Sequence, residues 1–145
     1  MAASIAVALA AYGATADANA ASDTSRGAKI LVGRSSLGRI IVDGKGRTLY
    51  LFAKDKGRNS ACYGACAAYW PPLLTHGKPV AGTGVKQRLL GTTLRTNGAT
   101  QVTYAGHPLY RYLGDSRPGD STGEGLLDFG AEWDVLSPAG SKIDG

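Results

Sequence analysis

The chain has 145 residues, 43% of them apolar, with 16 basic and 11 acidic side chains and a formal charge of +5. That length suits one domain or two small repeats sharing a core, and the absence of polar low-complexity runs excludes a chain too polar to fold. The cations are scattered rather than gathered into a block, which argues against a specific nucleic-acid partner and reads as a solvated surface able to attract anionic lipid or polysaccharide.

Residues 1–20 are small and mostly apolar and end in Ala18-Asn19-Ala20, the form of a signal-peptidase site ahead of Ala21. The apolar run Ile5 to Ala11 is far shorter than the ~20 residues of a membrane span. The segment therefore reads as an export signal. A single exported domain, 21–145, follows it, with no transmembrane segment after cleavage and a periplasmic, cell-surface or secreted location.

Lys29 to Val32 and Arg39 to Val42 are β-branched runs joined by turn residues, a hairpin signal, and Asp43-Gly44-Lys45-Gly46 reverses the chain into a third strand, Thr48 to Ala53. Within it lies Leu49-Tyr50-Leu51-Phe52-Ala53-Lys54-Asp55, and the pattern Leu-Tyr-x-aromatic-x-x-Asp returns as Leu109-Tyr110-Arg111-Tyr112-Leu113-Gly114-Asp115. Between the two copies come Arg88 to Leu90, Thr92 to Arg95, an Asn97-Gly98 turn, Thr100 to Tyr104 and Ala105-Gly106, the same strand-turn layout as before the first copy. The chain is read as two tandem antiparallel β-meanders, repeat one about 29–80 and repeat two about 86–140, with Gly33 matching Gly91 and Val42 matching Tyr104. The expected fold is all-β, the repeats packed into one small domain. High glycine content, 21 residues, fits many tight turns.

After each motif the copies diverge. The first runs Asn59 to Leu73 through Cys62-Tyr63-Gly64-Ala65-Cys66 and Trp70-Pro71-Pro72, a short helical or looped insertion that Asn59 or Ser60 could cap and Pro71 must end. The second, Asp115 to Gly125, is too rich in glycine for a helix. Tyr50-x-Phe52-x-x-Asp55, Cys62-x-Gly64-x-Cys66-Ala67-x-x-Trp70-Pro71-Pro72, Tyr110-x-Tyr112-x-x-Asp115 and Pro118-Gly119-Asp120 together resemble the bacterial secreted-repeat family of predicted lipoproteins with a Tyr-x-(Phe/Trp/Tyr)-x-x-Asp motif. The resemblance implies an exported, envelope-associated, largely β protein, and supplies no catalytic role. No cysteine stands near the cleavage site, so the expected mature chain carries no lipid.

Cys62 and Cys66 are the two cysteines of the chain, and an even count in an exported protein is most simply a disulfide. The alternative is a redox or copper-binding pair, with His76 or His107 as further metal ligands. Asp55 and Asp115 end their strands where a carboxylate can accept backbone N–H bonds and fix a reversal. Asp115, Asp120 and Glu124 offer oxygens for calcium but match no established loop spacing. The aromatic side chains are expected in a shared core; exposed, Tyr69, Trp70 and Trp133 would form a stacking surface. No catalytic residue is assigned, no Gly-x-Ser-x-Gly elbow or phosphate loop is present, and no cofactor is expected. The sequence points to a non-catalytic binding or structural protein whose partner is an envelope component or small ligand, with a periplasmic electron-transfer or copper-handling accessory as the alternative.

Overall fold

Alternating apolar residues build the first hairpin. β1 (Lys29–Ser35) and β2 (Gly38–Asp43) pair antiparallel from Ile30 opposite Asp43 to Ser35 opposite Gly38. The computed structural model describes residues 27–144, so the expected signal segment and its cleavage site lie outside the described residues. β3 (Tyr50–Phe52) carries the first motif, α1 (Ala65–Tyr69) the second cysteine, and β4 (Val80–Ala81) lies parallel to β1. A single 3-10 turn, Gln87–Leu89, leads into β5 (Leu90–Leu94), β6 (Thr100–Tyr104) and β7 (His107–Pro108), and the hairpin β8 (Leu126–Asp128) and β9 (Ala131–Val135) completes the chain. Three small sheets result, ordered β2-β1-β4, β3-β9-β8 and β5-β6-β7.

Each repeat is a meander, and each sends its motif strand into the other repeat. Val42 bridges to Thr48 in the first copy as Thr103 pairs with Pro108 in the second. Beyond that point β3 leaves its own hairpin and pairs with β9, Phe52 opposite Trp133 and Tyr50 opposite Val135. The second motif does the same with the segment after α1: Tyr110 bridges to Pro72, and Leu113 donates its N–H to Tyr69 at 2.8 Å where Ala53 donates to Glu132 at 2.9 Å. At the centre Tyr50 and Tyr110 exchange both backbone hydrogen bonds, 2.8 and 3.0 Å, so an approximate two-fold axis passes between them.

This pairing corrects the equivalences expected from sequence. Leu49 bonds Ile41 and Ile41 bonds Leu136, while Leu109 bonds Val102 and Val102 bonds Leu73, which matches Ile41 to Val102. Val42 therefore corresponds to Thr103 rather than Tyr104, and because Val32 faces Ile41 as Thr92 faces Val102, Gly33 corresponds to Thr93 rather than Gly91. At Val42 the turn lengths account for the slip. The first turn is one residue longer and is closed by Asp43 Oδ1, which accepts Lys45 N–H and Arg47 N–H at 2.9 Å each; the second is the two-residue turn Ala105-Gly106.

The exchanged strands have apolar residues on both faces and separate two cores. Ile41, Leu49, Leu51, Leu73, Val102, Leu109 and Leu136 form an aliphatic core, while Tyr50, Phe52, Trp70, Tyr110, Trp133 and Val135 form an aromatic one with Ile40, Val42, Cys62 and Cys66. Cys62 and Cys66 are paired at disulfide distance with Cα atoms 5.2 Å apart. α1 starts later than expected: Gly64, not Asn59 or Ser60, precedes it, with no side-chain cap. Ser60 is committed elsewhere, bonding Cys62 N–H at 3.1 Å and the Tyr110 hydroxyl at 2.7 Å.

Strand exchange makes the repeats interdependent. Separately produced fragments 21–85 and 86–145 should each lack a cooperative thermal transition by circular dichroism, because neither can pair its motif strand or close either core. A sharp transition in one fragment alone would show the meander to be self-sufficient.

Candidate functional site

The repeated motif assembles one constellation across the two-fold axis. The Tyr50 hydroxyl donates to Asp115 Oδ2 at 2.6 Å, and the Tyr110 hydroxyl donates to Asp55 Oδ2 at 2.8 Å, so each tyrosine holds the aspartate of the other repeat. The second oxygen of each aspartate fixes the loop that follows. Asp55 Oδ1 accepts Ala61 N–H at 2.7 Å, and Asp115 Oδ1 accepts the N–H and hydroxyl of Thr122 at 2.9 and 2.6 Å. Both carboxylates thus fix reversals and also lock the repeats together. Burial, and then the facing carboxylate, raise both tyrosine hydroxyls well above the usual phenol range, while burial lifts Asp55 above the usual carboxylate range.

Behind these bonds the aromatic rings form a column of four. Tyr112 stacks on Trp70 at 4.2 Å, Trp70 on Trp133 at 3.9 Å and Trp133 on Phe52 at 4.0 Å, while Tyr50 and Tyr110 pack edge-on against the two tryptophans at 5.3 and 5.1 Å. Members of the two repeats alternate along the column. Asp128 serves both indoles, its carboxylate accepting Trp70 Nε1–H and its carbonyl accepting Trp133 Nε1–H, each at 3.0 Å. Gly123 approaches so closely that a β-carbon there would stand 2.7 Å from Trp70 and 3.0 Å from Tyr50. Trp70 and Trp133 are therefore no stacking surface: both are fully buried, because each is an inner member of the column. Tyr69 is 52% exposed.

The cysteine loop is held from the other repeat. Arg95, itself buried, donates to Cys62 O at 2.6 Å, Gln101 Oε1 at 2.8 Å and Ser60 Oγ at 3.0 Å, and its guanidinium lies 4.2 Å above the Tyr63 ring. Nothing in the sequence marked Arg95, Asp128 or Thr122: strand exchange brings Arg95 into the interior beside Cys62 and Asp128 to the Trp70 indole, while Thr122 is an exposed loop residue bonded to Asp115 of its own repeat. His76 is exposed on the loop after Thr75 and His107 begins β7, where burial lowers its basicity. Among the described residues no three His, Cys, Asp or Glu side chains are arranged to hold a metal. Asp115, Asp120 and Glu124 do not converge either: Asp120 Oδ2 binds the N–H groups of Ser116 and Arg117, and Glu124 Oε1 binds Val135 N–H. A groove of about 600 Å³ runs between the Leu74–Pro79 loop and the β5–β6 hairpin, with His76 and Lys78 in its lining.

One buried acid stands outside this constellation. Asp134, opposite Leu51 on β9, is 1% exposed and its Oδ1 has no partner. Burial, then the neighbouring Glu132 and Glu124, push its pKa up to about 7 despite the attraction of Lys142.

Two substitutions probe these groups. Tyr50→Phe leaves Asp115 Oδ2 and Gly123 N–H without the hydroxyl that joins them, and should cost about 2–3 kcal/mol in denaturant unfolding. For Asp134 the unfolded chain ionises near the ordinary carboxylate value while the folded chain stays protonated to about pH 7, so stability falls as pH rises between those limits. Asp134→Asn should therefore stabilise the protein by up to about 4 kcal/mol at pH 8, an advantage that shrinks toward pH 4. A pH-independent difference would show that Asp134 is ionised in the fold.

Comparison with known proteins agrees with the two-fold arrangement. The model of a family described as a secreted repeat of unknown function matches twice, over residues 32–74 and 91–137. Neither curated proteins nor solved structures gave a significant match. Among the described residues no helix is long and apolar enough to cross a membrane. The two matches span most of both meanders, including both Tyr-x-aromatic-x-x-Asp motifs and both tryptophans, and the chain belongs to this family of secreted repeats.

Proposed function

We propose that this exported protein is a non-catalytic module of the cell envelope, binding or bracing an envelope component rather than transforming a substrate. The observation that carries this reading is the use of the motif's polar groups. Both tyrosine hydroxyls and both aspartates are spent on one another and on loop N–H groups, so the chemically richest residues serve the fold. A general acid or base needs an open approach for the proton it moves, and here the approach is filled by the partner repeat.

The competing reading assigns Cys62 and Cys66 to electron transfer or copper handling. Thiol exchange needs access to a sulfur, yet the two cysteines are 0% and 6% exposed and Arg95 pins the loop that holds them. Burial and anchoring support a structural bridge that seats Tyr69 and Trp70.

The test is direct. Exported protein should contain no free thiol and retain no copper after dialysis, and Cys66→Ser should lower stability by roughly 2 kcal/mol, more if the new hydroxyl lacks a partner. Stoichiometric Cu(I) retention, with thermal stability indifferent to reduction, would move the protein to the redox class.

A further inference from the structure

The β8–β9 hairpin turns through Phe129-Gly130, between the paired Asp128 and Ala131, with φ of 54° and 91°. Turns with two positive φ values take Asn or Asp and then Gly, because a large side chain in the left-handed region is strained. The comparable turn at Ala105-Gly106 holds a methyl group in that place, and Phe129 holds a benzyl group. Such strain at a bulky residue points to a use for the side chain. Phe129 packs against the aromatic core from outside but stays partly buried, its ring 6.0 Å from the exposed Tyr69.

The surroundings are apolar, with one cation at the turn. Leu113, whose N–H bonds Tyr69 O, is 63% exposed beside the 52% exposed Tyr69. Lys54 Nζ stands next to the turn, 3.8 Å from where a β-carbon on Gly130 would lie, and Lys56 and Arg58 continue the same exposed loop. The ion pairs within the described residues engage Arg111 and Lys142, leaving these three cations without one. The nearby carboxylates are turned away: Asp55 toward Tyr110, Asp128 toward the Trp70 indole, and Glu132 toward Lys142.

We propose that Tyr69, Leu113 and Phe129, with Lys54 at the turn beside them and Lys56 and Arg58 on the exposed loop that follows it, form a contact surface for anionic lipid bilayers, a proposal that rests on the envelope-binding reading above. Aromatic rings and a leucine suit the boundary between headgroups and acyl chains, and cations with no ion pair among the described residues suit the negative surface. The geometry favours lipid over glycan. Tyr69 and Phe129 are tilted by 40° and offer no flat platform for a sugar face, and Leu113 has nothing to give a hydroxylated ring.

Co-sedimentation with phosphatidylglycerol-phosphatidylcholine vesicles, against phosphatidylcholine alone, tests the proposal. The full chain should partition onto anionic vesicles at low salt and about fivefold or more weakly onto neutral ones. Phe129→Asn should weaken partition several-fold while keeping or raising the thermal midpoint, because Asn suits the positive φ; Leu113→Ser should weaken it with the midpoint unchanged. No partition at low salt, or partition unaffected by both substitutions, overturns the proposal, as does capture by purified peptidoglycan in place of vesicles. Those results leave the non-catalytic reading standing when thiol and copper assays still show a closed, metal-free bridge, so the two failures are distinguishable.

Discussion

The structure depends on the reciprocal junction of Tyr50 and Tyr110. Their main chains exchange two hydrogen bonds, and their hydroxyls reach outward to the aspartate of the opposite repeat. A short meander cannot bury both faces of its third strand alone. Crossing that strand into the other repeat solves the problem twice with one device. Each strand gains a ladder partner, β9 or the segment after α1, and comes to lie between the aliphatic and aromatic cores. The ion pair of Arg111 with Asp43 and the bond from Arg47 to the Asp115 carbonyl reinforce the same crossing from the turns.

Burying tyrosine hydroxyls and carboxylates beside an apolar column is costly unless every group finds a partner. The junction meets that condition through pairing: each hydroxyl donates to a carboxylate and also meets a donor or acceptor from the adjoining loop, Gly123 N–H on one side and Ser60 Oγ on the other. The stacked rings then gain from alternation. With indoles at the centre and Phe52 and Tyr112 at the ends, neither repeat contributes two adjacent rings, so the column exists only when both are docked. Sequence-distant contacts of this kind bind the repeats into one cooperative unit.

Much of this was legible from periodicity. The repeated Leu-Tyr-x-aromatic-x-x-Asp pattern marked a strand with two aromatic residues on one face, and the Asp-Gly and Asn-Gly turns placed the hairpins. Strand exchange was not legible, because Tyr50 and Phe52 have the same alternation whether their neighbour belongs to repeat one or two. The register slip at Val42 had a similar origin: a one-residue difference in turn length shifts counterparts without disturbing the apolar pattern. The inward use of Trp70 and Trp133 followed from the exchange, and so did the roles of Arg95 and Asp128, which have no periodic signature. Tyr69 stayed outside because it lies across from Leu113 rather than in the column.

The division between repeated and unrepeated residues carries the functional logic one step further. Positions that recur in both halves, Tyr50 with Tyr110, Asp55 with Asp115 and Trp70 with Trp133, are buried or committed to hydrogen bonds, so the symmetry is spent on stability. Residues present in one half alone are the ones that depart from local economy. The disulfide loop occurs only after the first motif, and Phe129 tolerates a left-handed backbone only after the second. Strand exchange places these two asymmetric features side by side, since α1, which ends in Tyr69, comes from the first half and packs its ring against Phe129 from the second. The exposed side chains Tyr69 and Leu113 take no part in the hydrogen bonds of the junction, and for that physical reason the proposed recognition lies there rather than at the tyrosines and aspartates that define the motif.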